Sequence, residues 1–474
     1  MKSTIKINQV VLSMAIAAAC SCSCSKKGSS PTTPPVSPTA EFTVSPGTVL
    51  VTGFAGFGTQ YNQNVYAAIS ASDGITSANV GQLETKVKAL HSQYVRIFFD
   101  SKAWPTDPNY STATADFMSS FVSTVKLAQD AGATSINITY WHTAAAALMP
   151  AFAGVLNDLI VNHGLTAVNQ VTIQNEVNST AMTMDDYKAC YTSLDQALKT
   201  LGIRNNIKFV GGDLVETNQQ IWFSYMAANM SDQLAGYSSH IYWNDNDAAK
   251  PVTRLSGVAA IVNALGTSIK PMYITEYGVR GSVVGTGITD PGELTSTTTP
   301  ISQTTTAALE NALFQLDGLN LGFAGFSRWD CYKAKYDGGE QLYSCIGSGT
   351  NGYPLYPLYY MTCLFTRTSQ AGWNVVKTAQ GTNASEVVAA LQDNTGKDMT
   401  LYAVNKSNGA YPFVIGGLPA TKSFHVLAWN NDQKGKIAKL ADVTTDGKGV
   451  LQISLPAQSA VAVTTLTADI SDIP

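Results

Sequence analysis

From about residue 49 to 345, short and almost continuously apolar runs alternate with longer stretches whose apolar positions recur every three or four residues. Eight runs read as strands: LVTGFAGFG near 50, YVRIFFD at 94, SINITYW at 135, VTIQNEV at 171, IKFVGGD at 207, YSSHIYW at 237, PMYITEY at 271 and FAGFSRW at 323. They lack the in-out alternation of half-exposed strands, which predicts burial on both faces and hence a parallel sheet covered by helices. Between them the helical pattern is plain. Phe117, Phe121, Val125 and Ala128 share one face before Gly132. Tyr187, Cys190, Leu194, Leu198 and Leu201 form a second stripe, opened by Thr183 as N-cap with Asp186 three residues on, and closed by Gly202. Eight strand-then-helix units over about 295 residues predict a (β/α)8 TIM barrel. A doubly wound open sheet would want a phosphate-binding glycine fingerprint after an early strand, and GFAGFG at 53–58 lacks that spacing.

After about 352 the pattern changes to alternation and turns, in ASEVVAALQD, MTLYAVNKS, KSFHVLAW, GVLQISLP and SAVAVTTL. The expected architecture is an α/β barrel over 41–352 followed by a small antiparallel β-sandwich over 353–474, with 41–48 placed to add a strand to the sandwich. The chain has 474 residues, of which 13% are charged, and a net charge of −4. Without a basic face, a nucleic-acid partner is not expected. Low charge with 21 Tyr and 7 Trp suits a binder of neutral polymers outside the cytoplasm.

The first residues read as an export signal. Lys2 and Lys6 precede an apolar stretch from Val10 to Ala19 that is too short to span a membrane. The segment ends in Ala17-Ala18-Ala19-Cys20, followed by Cys22 and Cys24 at alternate positions. It resembles a bacterial lipoprotein cleavage site. That resemblance implies removal of 1–19, lipidation of Cys20 (Cys22 is the alternative) and a protein on the outer side of a bacterial membrane, held by lipid alone. Residues 26–40, rich in Ser, Thr and Pro, would form an extended tether within 20–40.

In a TIM barrel the reactive groups sit at the C-terminal strand ends. Charged residues are scarce here, yet they gather at that rim. Strand 2 carries Arg96, strand 3 ends in Tyr140-Trp141-His142, and strand 4 ends in Asn175-Glu176. Strand 6 ends in His240-Ile241-Tyr242-Trp243, strand 7 in Glu276 and strand 8 in Trp329-Asp330. Trp104, Trp141, Trp243 and Trp329 fall at the same rim, and flat aromatic faces suit sugar rings. Glycosidic cleavage needs an acid on the leaving oxygen and a second carboxylate across the anomeric carbon. Glu176 and Glu276, three βα units apart, can face each other over the barrel mouth. Each residue alone has a plainer reading: a solvated strand end for either Glu, a structural ion pair for Arg96, a satisfied core histidine for His240. The ordered set favours chemistry.

That set resembles the clan A retaining glycoside hydrolases. The resemblance rests on Asn175-Glu176 after strand 4 and Glu276 after strand 7, and extends to Arg96, His240-Ile241-Tyr242 and Trp329. It covers about 49–345, and the appended sandwich is similar to those of family 30, 39 and 51 enzymes. It implies cleavage of β-type glycosidic bonds in poly- or oligosaccharides by double displacement, with Glu176 as general acid/base and Glu276 as nucleophile. Arg96, Trp141, His142, Asn175, His240, Tyr242, Trp243 and Trp329 would bind or position the sugar. By position, Arg96 and Tyr242 should hold the charge of Glu276, and the site should raise the Glu176 pKa. Asp100 and Asp330 read as loop-ordering.

No metal or other cofactor is expected, since zinc spacing and a phosphate loop are both missing. Cys190 reads as a buried thiol on an apolar helix face. Cys331 and Cys345 flank a loop after strand 8 and are expected to form a disulfide. The Gly/Thr-rich loop at 279–300 is expected to lie over the cleft and shape substrate choice. A monomer with a carbohydrate substrate is the expected state. The competing class is a carbohydrate-binding surface lipoprotein that keeps the barrel without turnover, and it should lack one of the two glutamates. A barrel aldolase would want a strand-end Lys, which none of the eight strands provides.

Overall fold

A computed structural model describes residues 39–100, 115–245, 251–284, 287–289, 299–336, 343–432 and 435–474. The chain opens with β1 (Phe42–Val51) and then enters a parallel barrel. Its first seven strands are β2 (Phe57–Tyr61), β3 (Tyr94–Asp100), β4 (Ser135–Trp141), β5 (Val168–Ile173), β6 (Lys208–Leu214), β7 (Leu234–Asn244) and β8 (Met272–Arg280). After a three-stranded ribbon, β9 (Ser282–Val284), β10 (Gly287–Thr289) and β11 (Thr299–Pro300), strand β12 (Phe323–Arg328) closes the barrel between β8 and β2. Strands β3 and β12 are buried at every residue, as their unbroken apolar runs require.

Helices follow the barrel strands in turn: α1 (Val80–Leu90), α2 (Ala115–Asp130), α3 (Met149–Asn157), α4 (Met184–Thr200), α5 (Gln219–Asn229), α6 (Pro251–Asn263), α7 (Thr305–Asn320) and α8 (Pro357–Thr366). Helix α4 shows how local sequence sets the boundaries. The Thr183 hydroxyl accepts the Asp186 amide at 3.1 Å, and Gly202 takes φ +74° just past the end. Its buried stripe stops at Leu198, while Leu201, at the C-cap, is 42% exposed.

Two boundaries differ from the sequence pattern. The run LVTGFAGFG is divided: Leu50 and Val51 end β1, and the barrel begins only at Phe57. Gly53 (φ +72°) and Gly56 (φ +117°) turn the chain between them, and a Cβ at Gly56 would meet Gln93 at 2.5 Å. The eighth barrel helix lies beyond residue 352. Leu358 to Thr366 are all buried, because α8 packs among α7, α1 and the C-terminal sheet, so its sequence carries no amphipathic period.

The remaining strands are β13 (Asn374–Ala379), β14 (Glu386–Gln392), β15 (Met399–Asn405), β16 (Tyr411–Gly416), β17 (Ser423–Asn430), β18 (Ile437–Thr444), β19 (Leu451–Leu455) and β20 (Ser459–Thr464). With β1 they form a nine-stranded sheet, antiparallel except where β1 runs parallel to β16. One face (Val387, Tyr402, Trp429, Ala462) joins the barrel's core. The other face encloses a core of its own, including Phe42, Val388, Leu401, Phe413 and Val461. The sheet folds over on itself to cover that core, and Asn405 Nδ2 on β15 reaches the Leu455 carbonyl of β19 at 3.2 Å. An ion pair between Lys406 and the buried Glu310 of α7 also ties sheet to barrel. Among the described residues no helix is long and apolar enough to cross a membrane.

Candidate active site

Side chains alternate along a strand, so β3 sends Tyr94, Arg96 and Phe98 into the barrel at three rising levels. At the lowest, the Tyr94 hydroxyl donates to Gln170 Oε1 at 3.0 Å. Arg96, wholly buried, sits above it and uses all five of its N–H donors. Nε donates to Thr139 Oγ1 (2.8 Å). Nη1 donates to Gln60 Oε1 (2.6 Å) and Glu276 Oε1 (2.5 Å). Nη2 donates to Asn175 Oδ1 (2.7 Å) and Asp213 Oδ2 (2.5 Å). At the rim, Phe98 stacks on Trp141 with centroids 4.8 Å apart, and Trp329 stacks on Tyr336 at 5.0 Å. These four rings form an aromatic floor beside the charged groups.

Glu276, at the level of Arg96, also accepts the Tyr242 hydroxyl on Oε2 at 2.9 Å. Glu176 follows β5 in a left-handed conformation (φ 48°) that turns the chain at the barrel mouth. His240, on β7, lies between the two glutamates. Its Nδ1 is 3.2 Å from Glu176 Oε1 and 3.5 Å from Glu276 Oε2, and its Nε2 is 3.6 Å from Asp213 Oδ1. One ligating atom from each of Glu176, His240 and Glu276 falls within 4.8 Å of the others. Two cavities meet at Glu176. One, of about 770 Å³, includes Trp141, His142 and Asn175; the other, of about 320 Å³, includes His240, Tyr242 and Arg280.

Burial opposes a charge on His240, but the carboxylates of Glu276, Asp213 and Glu176 outweigh it and push its pKa up to about 9. The imidazole is therefore a cation at neutral pH. Glu176 responds in the opposite sense to the sequence expectation. Burial would raise its pKa, yet the hydrogen bond and charge of His240, with Arg96 behind, hold it below the ordinary value. A carboxylate beside an imidazolium gives up its proton, so in the free protein the proton of this pair resides on the histidine.

Arg96, Asn175, Glu176, His240, Tyr242 and Glu276 thus come together, and Trp141, His142 and Trp329 border them. His142 stacks on Trp141 at 4.0 Å, and its Nε2 lies 3.2 Å from Asp100 Oδ1, so Asp100 orders it. Trp243 is a correction. The residue borders the smaller cavity, but it is 1% exposed, and its ring stacks on Phe314 of α7 at 4.9 Å and donates to Glu310 at 3.2 Å, so the ring packs the helix layer. Cys331 and Cys345 are a second correction. They are neighbours but free thiols, both wholly buried, and the Cys345 thiol is directed to the Cys331 carbonyl at 3.0 Å. Cys190 is buried, as its helix face requires. Asp330 is buried outside the cluster, and burial pushes its carboxyl up to about 7. Asp213 was missed. It lies next to the end of β6, where Gly211-Gly212-Asp213 offered the same signal as the other rim residues, a charged group near a strand end in a chain with few of them. Trp104, Cys20 and residues 285–286 and 290–298 of the 279–300 loop lie outside the described residues.

No family model and no curated protein matches this sequence. Solved structures do match in shape. The catalytic domain of a GH30 xylanase C from Talaromyces cellulolyticus superposes with a TM-score of 0.65 at 16% identity, covering 90% of this chain and 100% of that one. A conserved exported protein from Bacteroides fragilis gives 0.63 at 13%, with the same two coverages. The α-L-arabinofuranosidase from Thermotoga maritima gives 0.58 at 15%, again covering 90% and 100%. The chain has a clan A glycoside hydrolase-like fold.

Proposed function

We propose that the protein is a retaining glycoside hydrolase that cleaves β-type bonds of poly- or oligosaccharides by double displacement. The observation that carries this reading is the asymmetric pair of glutamates. Their nearest oxygens lie within 4.8 Å, close to the roughly 5–5.5 Å between carboxyl groups of retaining enzymes and short of the roughly 6.5–9.5 Å of inverting ones. Only Glu276 is fixed at both oxygens, by Arg96 and Tyr242, as suits an ionised nucleophile. Glu176 opens onto both cavities, as suits a group that meets a leaving oxygen and then a water. In the first step Glu276 attacks the anomeric carbon while Glu176 protonates the departing oxygen. In the second, Glu176 takes a proton from water, and the bond to Glu276 breaks. No step needs a metal, and two cations, Arg96 and His240, already answer the carboxylates a metal would seek.

The test is the anomer released first, read by proton NMR on aryl β-glycosides and polysaccharides before mutarotation. Retention is expected, and a first-formed inverted product would refute the double displacement. The two tryptophans provide a separate check. Trp141→Ala should raise KM about fivefold, on the order of 1 kcal/mol for a lost sugar-stacking face, with little change in Tm. Trp243→Ala should leave KM unchanged and destabilise the fold by about 3–5 kcal/mol as a core truncation. The reverse pattern would return Trp243 to the cleft.

The site of action follows the leader. The signal at 1–19 and Cys20 support export and lipid anchoring on a bacterial membrane, and export agrees with the description of the Bacteroides fragilis protein. Cys20→Ala should move the protein from the membrane fraction to the soluble fraction. Continued membrane association would transfer the anchor to Cys22 or remove it from this account.

A further inference from the structure

Asp213 has no part in the two steps above, yet it is a tightly constrained carboxylate inside the barrel. It is wholly buried, and its backbone is left-handed (φ 53°). Its Oδ2 accepts from Arg96 at 2.5 Å and from Thr139 at 3.2 Å. Its Oδ1 accepts from Ser238 at 2.8 Å and Thr275 at 2.6 Å, with His240 Nε2 at 3.6 Å. Its own amide donates to Ser238 Oγ at 2.7 Å. Four other strands, β3, β4, β7 and β8, therefore fix one carboxylate against the rear edge of the imidazole whose front edge faces both glutamates.

We propose that Asp213 is a positioning residue that acts through His240: its carboxylate keeps a proton on the imidazole, from which Glu176 is recharged as the glycosidic bond breaks. This rests on Glu176 as the acid/base of a glycoside hydrolase. The charges facing His240 are Glu176 after β5, Glu276 on β8 and Asp213 on β6. Arg96 on β3 is bonded to the last two, and Tyr242, on the same strand as His240, is bonded to Glu276. The buried carboxylates of Asp213 and Glu276 with the partly exposed Glu176, against one guanidinium, leave an excess of two negative charges, which the imidazolium reduces to one. That excess retains the proton on a ring that is itself shielded from water. During the first step the Nδ1–H bond breaks and a Glu176 Oε1–H bond forms, and that proton passes to the leaving oxygen. During the second, the proton lost by water returns through Glu176 to Nδ1. The balance closes with no further reactant.

Removing the charge at 213 weakens the hold on that proton. A simple structural partner of Arg96 would lower the rate without moving any titration. The full-length protein, with its five histidines labelled in the ring nitrogens, is titrated by NMR, and His240 is assigned by its loss in a His240 variant. In the native protein the His240 midpoint is expected well above that of an ordinary histidine. In Asp213→Asn its proton affinity should fall roughly tenfold or more, and the alkaline limb of kcat/KM on an unactivated glycoside should move to lower pH with it. On an activated aryl glycoside, whose leaving group barely needs a proton, that limb should not follow. An unchanged His240 midpoint in Asp213→Asn overturns the proposal. If that variant does not fold, the native titration still decides, because a His240 midpoint at or below about 6.5 overturns it as well. A shifted midpoint in a protein that hydrolyses nothing would keep the coupling of Asp213 to His240 and refute the glycosidase reading instead.

Discussion

Glu276→Ala and Glu176→Ala should each lower kcat on natural glycosides by on the order of 10⁴–10⁶-fold, but they should fail differently. Without Glu276 no glycosyl-enzyme forms, so both activated and unactivated substrates are lost. Without Glu176 an aryl glycoside with a good leaving group still reacts in the first step, because its departure barely needs a proton. The glycosyl-enzyme then accumulates, since no base activates water, and a burst of one equivalent of phenol should precede a slow steady state. Azide needs no base. It should restore turnover to Glu176→Ala and give a glycosyl azide of retained configuration. In Glu276→Ala it can enter only from the face the nucleophile occupied, so its product should be inverted. Inverted azide products from both variants would exclude double displacement, and Asp330 and Asp100 would return as candidates. Loss of binding as well as turnover would point to a collapsed site, which the melting temperature of each variant would reveal.

The sequence exposes some of this arrangement because of where charge is permitted. Strands buried on both faces admit few charged residues, so Arg96 and Glu276 within them and Glu176 just after one stand out. Trp243 shows a signal available but unused. His240 and Tyr242 turn toward the carboxylates, so strand alternation sends Ile241 and Trp243 toward the helix layer. Trp141 shares the parity of Thr139, which bonds Arg96, and reaches the rim. The Glu176 pKa was beyond reach for a different reason. Its sign depends on whether His240 carries a proton, and that depends on Asp213, whose partners come from four other strands. A linear pattern shows a carboxylate at a strand end but not which cation two strands away will face it. Helix α8 was hidden by complete burial, and the division between β1 and β2 by two glycines that a run of apolar residues conceals.

Arg96→Met should damage stability as well as activity. The side chain fits a buried volume, but five hydrogen bonds disappear together, and the buried carboxylates of Asp213 and Glu276 lose the guanidinium they share. Removing one partner of such a network costs about 3–5 kcal/mol. Arg96→Lys should not restore function, because a single ammonium with three donors cannot reach acceptors on β2, β4, β6, β8 and the turn after β5 at once. The pH dependence gives the sharper reading. Burial alone would raise the Asp213 pKa, but Arg96, His240 and the surrounding donors hold it far below the ordinary range. A carboxyl depressed in the folded state contributes stability above its unfolded pKa of about 4, and that contribution is lost as pH falls below it. The native protein should therefore lose stability on acidification below about pH 4. In Arg96→Met this contribution should weaken, because Asp213 keeps His240 and its hydroxyl donors but loses its guanidinium partner. Protonation would then relieve a buried charge that is only partly compensated, so the difference between native and variant should narrow as pH falls from about 7.5 to 5. Urea denaturation of both proteins at those two pH values measures this directly. A loss under about 1 kcal/mol, or one that does not change with pH, would mean that water reaches these carboxylates, and the dry charge network inferred for Asp213 and His240 would have to be abandoned.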